Sequence, residues 1–177
     1  RRARALGDQA RAVLLLTAVA GGDRAVVTRA AAELGLDLAM LAEAERAGLV
    51  TIGPDRVDFS HPLVRASVVA LAEPDERRRL HAVVAEAVPA HDLDRRAWHR
   101  AQAVLGTDEE AAAELERSAG RARARGGLAA AAAFLQQAAE LTPEPADRTS
   151  RALEAAHAKH AAGASETALE LLAVAST

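Results

Sequence analysis

Leu49-Val50-Thr51-Ile52-Gly53-Pro54-Asp55-Arg56-Val57-Asp58-Phe59 is the stretch of this chain that reads as sheet. A short β-prone run and an alternating triplet flank Gly-Pro-Asp-Arg, a turn-forming tetrapeptide, so the stretch predicts a small hairpin. Upstream, three segments carry helical spacing. Residues 8–20 place Ala10, Val13, Leu14 and Ala18 on one face and stop at Gly21-Gly22. Asp23 is placed to cap a second helix with Val26, Val27, Ala30 and Leu34 inward, closed by Gly35. Asp37 is placed to cap a third, through Leu38, Leu41 and Ala44, ending at Gly48. Three helices followed by a hairpin is the outline of a winged helix, assigned to residues 1–60.

Downstream the pattern is helical throughout. Ser60 is the expected cap of a helix carrying Leu63, Val64, Val68 and Leu71. Pro74 opens another, with Leu80, Val83, Val84, Ala87 and Val88 at i, i+3, i+4, i+7 and i+8. These two form a linker over 61–90. After a polar break at 91–94, a helix with Trp98, Ala101, Gln102 and Leu105 runs to Gly106. Thr107-Asp108-Glu109-Glu110 fits a capping box. The helix it opens has acids in its first turn and Arg121, Arg123 and Arg125 in its last, complementing the helix dipole at both ends. Leu128, Ala131, Ala132, Leu135 and Ala138 make the next apolar face, and Thr142-Pro143-Glu144-Pro145 is a turn. A helix around Leu153 and Ala156 and a last one with Ala168, Leu171, Leu172 and Ala175 complete the chain. Gly127-x4-Ala132-x2-Leu135 recurs as Gly163-x4-Ala168-x2-Leu171, a 36-residue offset close to the roughly 34-residue period of tetratricopeptide pairs. Residues 91–177 are therefore read as antiparallel, tetratricopeptide-like helix pairs, and the fold class as all-α with one small β-hairpin.

Composition agrees. Half of the 177 residues are apolar and 48 are alanine, while Phe59, Trp98 and Phe134 are the only aromatics. Small side chains in such numbers favour closely packed helices over a β-sandwich. There is no cysteine, which removes disulfides, thiol nucleophiles and cysteine-ligated metals. No apolar run approaches the roughly 18 residues of a membrane span. The opening Arg1-Arg2-Ala3-Arg4-Ala5-Leu6-Gly7-Asp8 has neither an initiator methionine nor a signal-peptide core. The expectation is an internal piece of a longer cytoplasmic protein.

Several functions find no footing. The net charge is −3, without the basic footprint of a nucleic-acid binder. In the winged-helix segment, eight arginines offset eight acids, and the third helix itself holds three acids and one base at 36–47. A duplex presents dense phosphates that several Lys or Arg must neutralise, so direct DNA binding is the weakest of the readings kept open. The basic runs Arg77-Arg78-Arg79 and Arg121-x-Arg123-x-Arg125 each have neighbouring acids or a helix C-terminus to explain them, and read as solvated faces. His157 and His160 sit three apart without a matching acid, so no metal site is assigned; His81 and His99 read as boundary residues of amphipathic helices. No phosphate loop, GxSxG elbow or HExxH is present, so no catalytic residue and no enzymatic activity are assigned to the chain.

The most specific string is Phe59-Ser60-His61-Pro62-Leu63-Val64-Arg65. Ala47-Gly48-Leu49-Val50 precedes it and Glu76-Arg77-Arg78-Arg79-Leu80-His81 follows. Further on come Asp94-Arg95-Arg96-Ala97-Trp98-His99, Ala122-Arg123-Ala124-Arg125-Gly126-Gly127 and Ala138-Ala139-Glu140-Leu141-Thr142-Pro143. In this order and spacing, over about 8–175, the chain resembles the middle of the large ATP-binding LuxR-type transcriptional regulators, signal-transduction ATPases with numerous domains. The resemblance implies an ATPase domain before this segment and a DNA-binding helix-turn-helix after it. This chain would couple the two and offer its helical arm to a protein or small-molecule inducer. ATP or ADP would belong to the full-length parent, with no cofactor in the segment itself. By the same resemblance His61, with Arg65 one turn later, would contact nucleotide phosphates and hold the closed state. The local alternative is that Ser60 caps the helix, Pro62 starts it and His61 packs at the corner. The broader alternative is a helical-repeat scaffold in a parent without a DNA-binding domain.

Overall fold

A computed structural model of the chain describes residues 6–164. Backbone contacts divide it into two compact units, Arg1–His91 and Asp92–Thr177. The first unit holds α1 (Asp8–Val19), α2 (Arg24–Leu34), α3 (Leu41–Arg46), β1 (Val50–Ile52), β2 (Val57–Phe59), α4 (Pro62–Ala70) and α5 (Pro74–Ala87). The second holds α6 (Leu93–Ala103), α7 (Glu109–Ala124), α8 (Leu128–Leu141) and α9 (Pro145–Ala161). The fold is all-α with one small hairpin, as the sequence pattern predicts, and α1 to β2 follow the winged-helix order. No described helix is long and apolar enough to cross a membrane. The final helix around Ala168 and the second copy of the Gly-Ala-Leu pattern lie outside the described residues.

Helix α1 is the axis of the first unit. Every residue from 13 to 20 is buried, because α2, α3, α4 and α5 all pack against it. Leu14 and Leu16 are among the largest fully buried side chains. The one polar group in this run, Thr17, is satisfied within the helix: its hydroxyl donates to the Val13 carbonyl at 2.8 Å. The sequence pattern assigned one inward face here; the structure buries all sides of the C-terminal half.

The hairpin pairs Val50 with Phe59, Thr51 with Asp58 and Ile52 with Val57, antiparallel. It has a third edge that the sequence reading missed. Asp23 bridges to Arg56, the Val57 amide donates to the Gly22 carbonyl at 2.8 Å, and the Arg24 amide to the Asp55 carbonyl at 3.0 Å. The Arg24 guanidinium donates to the Gly53 carbonyl at 2.8 Å and Arg56 to that of Gly21 at 2.9 Å. The hairpin tip is thus strapped to the α1–α2 corner.

Helix starts are mostly where acids announce them. Asp23 accepts from the Val26 amide at 3.1 Å. Asp37 accepts from Ala39 at 2.9 Å, but this opens a 3-10 turn, Leu38–Met40, and α3 proper is only six residues. Ser60 does not cap α4. Its amide donates to the Leu49 carbonyl at 2.9 Å, extending the hairpin, so the cap falls to His61. The capping box at 107–110 also fails to form. Asp108 is the cap, accepting from Ala111 at 3.0 Å, and its own amide is taken by the Leu141 carbonyl at 2.7 Å. That leaves no donor for a box glutamate to receive.

Helices α4 and α5, read from sequence as a linker, pack on α1 and α2 within the first unit. Arg29 of α2 donates through Nε to the Ala87 carbonyl at the end of α5, at 2.7 Å. In α4 only Val68 is buried, while Leu63 and Leu71 stay exposed.

In the second unit, the bond from Asp108 to Leu141 joins the start of α7 to the end of α8, so the two run antiparallel. Helix α9 returns along α8: Ala155 and Ala158 share a cluster with Ala131, Ala132 and Leu135. A second cluster unites Ala97, Ala101, Ala111, Ala112, Leu115, Ala138 and Leu141. Phe134 touches both clusters and meets Trp98 edge-on, ring centroids 6.0 Å apart. Alanine fills most inner positions, whereas Leu93, Leu105, Leu128 and Leu153 are exposed. The inward Leu105 expected from spacing is therefore corrected: α6 ends at Ala103, before that residue.

The third edge makes a sharp prediction. Gly22 has φ +78°, and a Cβ there would lie 2.3 Å from the Val57 carbonyl oxygen. Gly21 has φ +68° but open space around it. G22A should destabilise the first unit by about 1–3 kcal/mol more than G21A, which carries only the left-handed backbone cost of about 1–2 kcal/mol. Hydrogen exchange of the α1 amides measures the difference; equal protection in both variants would remove the edge contact.

Candidate functional site

The sequence directs attention to the hairpin–α4 junction, and its geometry follows from local chemistry. Phe59 closes β2, Ser60 makes the last hairpin bond, and Pro62 occupies the first turn of α4, where a missing N–H costs nothing. His61 between them is extended, φ −155° and ψ 144°. Its Nδ1 accepts from the Leu63 amide at 3.1 Å. An accepting Nδ1 belongs to the neutral tautomer with its proton on Nε2, so His61, exposed at the helix start, presents a donor outward while capping α4 inward.

Arg65, one turn on, serves a different element. Its Nε donates to the Ala18 carbonyl at 2.9 Å. That carbonyl sits in the last turn of α1, where orphan acceptors and the negative end of the dipole favour a cation. Among the described residues no bond joins Arg65 to His61. The pair named from the sequence is thus arranged in series: His61 holds the start of α4, and Arg65 ties the next turn of α4 to the end of α1. A cleft of about 660 Å³ in the same unit is lined by Leu14, Leu15, Val68 and Leu71, with Asp8, Arg11 and Glu76 among the polar lining; neither His61 nor Arg65 lines it.

The third helix, where a winged helix would meet a duplex, directs its acids to its own scaffold. Glu43 accepts from the Gly7 amide at 2.9 Å and Glu45 from the Ile52 amide at 2.9 Å. These two carboxylates lock α3 to the start of α1 and to β1.

The arm is held by two arginine clamps; the sequence reading takes the arginines of one, in the 121–125 run, as a solvated face and does not single out Arg151 of the other. Arg151 of α9 grips both oxygens of Glu109 at 2.7 and 2.8 Å, Glu116 at 3.1 Å and the Thr142 hydroxyl at 2.8 Å. Its side chain is only 13% exposed. Thr142 is fully buried and donates onward to the Ala138 carbonyl at 2.7 Å. Hydrogen bonding to Arg151 pulls the Glu109 carboxyl below its usual range, and Glu109 in turn raises the guanidinium further. The second clamp is Asp94 of α6, which receives Arg121 at 2.7 Å and Arg125 at 2.6 Å from α7. Burial opposes its charge, but the bonds from Arg125 and Arg121 outweigh burial and hold its carboxyl low. The run at 121–125 therefore splits: two of its arginines bind Asp94, and Arg123 faces solvent. The run at 77–79 splits similarly, with Arg77 donating to the Val69 carbonyl and Arg78 paired with Asp75. No cluster of three or more metal-ligating side chains occurs among the described residues.

Compared with family models, with curated proteins and with solved structures, the chain matches none.

Two outcomes follow from the charges. Replacing Arg151 by Met removes a fork that joins α9 to α7, and should lower the thermal midpoint of the second unit by roughly 4–8 °C, the shift of ~1 kcal/mol in a domain of this size. The fluorescence of Trp98, the chain's single tryptophan, reports it; an unchanged midpoint would reduce the clamp to decoration. His81 on α5 is pushed down to about 4, first by burial and then by Arg77. The unfolded imidazole, near 6.5, takes up its proton first on acidification. Stability from this group is full above pH 6.5 and is lost as pH falls toward 4. H81Q should flatten the decline in thermal midpoint between pH 6.5 and 4.5; parallel profiles would clear His81 of the effect.

Proposed function

We propose that this chain is the coupling segment of a multidomain LuxR-type, ATP-dependent transcriptional regulator. In this reading a winged helix and helical arm relay the state of a separate ATPase domain to a separate DNA-binding domain, in the cytoplasm. The observation that carries it is the series arrangement at the junction. His61 presents an Nε2 donor outward while its Nδ1 holds the start of α4, and Arg65 fastens that helix to α1. A phosphate taken by His61 from a neighbouring nucleotide would act on the helix start it caps. The disturbance would pass through Arg65 to the helix around which the first unit is packed. Coupling of this kind requires an element with two arrangements, and the capped start of α4 is the hinge proposed. ATP or ADP would be held by the parent's ATPase domain, with His61 and Arg65 as sensors. The arm would receive an inducer, protein or small molecule.

Charge supports leaving promoter recognition to another domain. The winged-helix segment is neutral by count, α3 is six residues long, and two of its acids are spent on the scaffold. The hairpin tip, which could otherwise reach a groove, is bound by Arg24.

The test is nucleotide retention by the full-length parent. H61A should weaken ADP retention and raise basal activity, and R65A should raise basal activity while leaving ADP affinity near normal. Unchanged ADP affinity and basal activity in H61A would overturn the sensor role. A mobility shift of duplex DNA by this chain at low salt would overturn the division of labour.

A further inference from the structure

Among the described residues, five helical starts are held by a side-chain cap, and four of those caps are aspartates: Asp23, Asp37, Asp92 and Asp108. The fifth is His61, whose Nδ1 accepts from the Leu63 amide at 3.1 Å. The difference matters when a proton arrives. A carboxyl group keeps an acceptor oxygen whether or not it is ionised, whereas a protonated imidazole has two donors and no acceptor. An amide N–H only donates, so an imidazolium at position 61 cannot hold the Leu63 amide. It would also set a positive charge against the positive end of the α4 dipole.

The turn that this cap holds has few other attachments. Leu63 is 69% exposed, and Val68 is the one buried residue of α4. The Val64 amide reaches the His61 carbonyl at 2.9 Å, and Arg65 ties α4 to the Ala18 carbonyl at the end of α1. The charged groups on the elements around α4 are engaged elsewhere. Asp8 and Arg11 of α1 pair with one another, and Asp58 of β2 meets Arg56 at 3.5 Å. On α5, Asp75 pairs with Arg78, and Arg77 donates to the Val69 carbonyl, about two turns along α4 from His61. Among the described residues, the His61 side chain has no bond besides the one from Leu63.

We infer that His61 is a proton-operated latch on the start of α4. Proton uptake at Nδ1 removes the cap and opens the first turn, while α4 stays fastened to α1 through Arg65. The latch belongs to this chain and needs no nucleotide. Where it meets the proposed sensor role, an anion brought to the outward Nε2–H would favour the imidazolium and so draw the same latch open. That consequence alone rests on the nucleotide reading.

The whole chain, isotope-labelled, is titrated with acid and followed by NMR. The ring resonances of His61 report its own protonation. In the neutral form they should show the Nε2–H tautomer; an Nδ1–H tautomer would overturn the inference. Across the range in which the ring takes up its proton, solvent exchange of the Leu63 amide, relative to its intrinsic rate, should accelerate about fivefold, the effect of losing one side-chain cap. The Val26 amide, under the Asp23 cap, should hold steady. H61N, whose amide oxygen caps without titrating, should keep Leu63 protected throughout, and H61A should leave it open throughout. H81Q should show the same Leu63 response as the unaltered chain. Exchange at Leu63 that ignores the titration of the ring would sink the latch, as would a response that persists in H61N or disappears in H81Q. Unchanged ADP retention by H61A in the full-length parent would remove the nucleotide reading and leave these outcomes in place.

Discussion

A helix with no solvent face over its last seven residues sets the terms for the first unit. Once residues 13–20 are buried on every side, each neighbour of α1 must supply apolar surface and each polar group at its end must find a partner. The hydrophobic gain is large: a fully buried leucine contributes about 1.5–3 kcal/mol relative to an exposed one. The accompanying demand is that the carbonyls closing α1 be satisfied within the protein. Gly22 meets that demand through Val57, Gly21 through Arg56, and Ala18 through Arg65. Hairpin and junction are therefore both fastened to the same helix end. That shared anchorage is the physical basis for reading the junction as a relay.

The second unit solves a different problem. Its inner positions are alanines, each of which buries little area, so dispersion between closely spaced helices must make up what large side chains would supply. Closeness in turn leaves no room for long polar groups inside. Arginines at the helix margins do the joining instead, Arg151 from α9 to α7 and Arg121 and Arg125 from α7 to α6. Pairs of this kind are strong because the forks are bidentate or doubly received, and because one partner is well shielded from water. They also fix which helix surfaces meet, something a uniform alanine face specifies poorly.

Most of the fold is legible in the sequence because helix periods, Asp caps and Gly stops are local signals. The hairpin at 49–59 and the breaks at 21–22, 106 and 126–127 are of this type. What escaped was non-local or competitive. Ser60 and His61 can each cap a helix, and the hairpin decides between them by claiming the Ser60 amide. Thr107 and Asp108 compete likewise, and the returning end of α8 decides. The third sheet edge at Gly22 has no strand-like pattern, since one bridge needs none. At the candidate site, His61 and Arg65 are named by the sequence, but nothing local shows that Arg65 serves α1. The role of Arg151 depends on a neighbouring helix and so leaves no mark within its own.

The alanine interior also bears on how such an arm can change over generations. With methyl groups already in contact, almost any replacement adds volume and wedges two helices apart, and glycine alone subtracts. Inner positions then act as geometric set-screws, each step altering the pitch of the stack, while the outward leucines Leu93, Leu105, Leu128 and Leu153 are free to drift. Divergence in such a protein would be written on its outside, and its curvature kept in its smallest side chains.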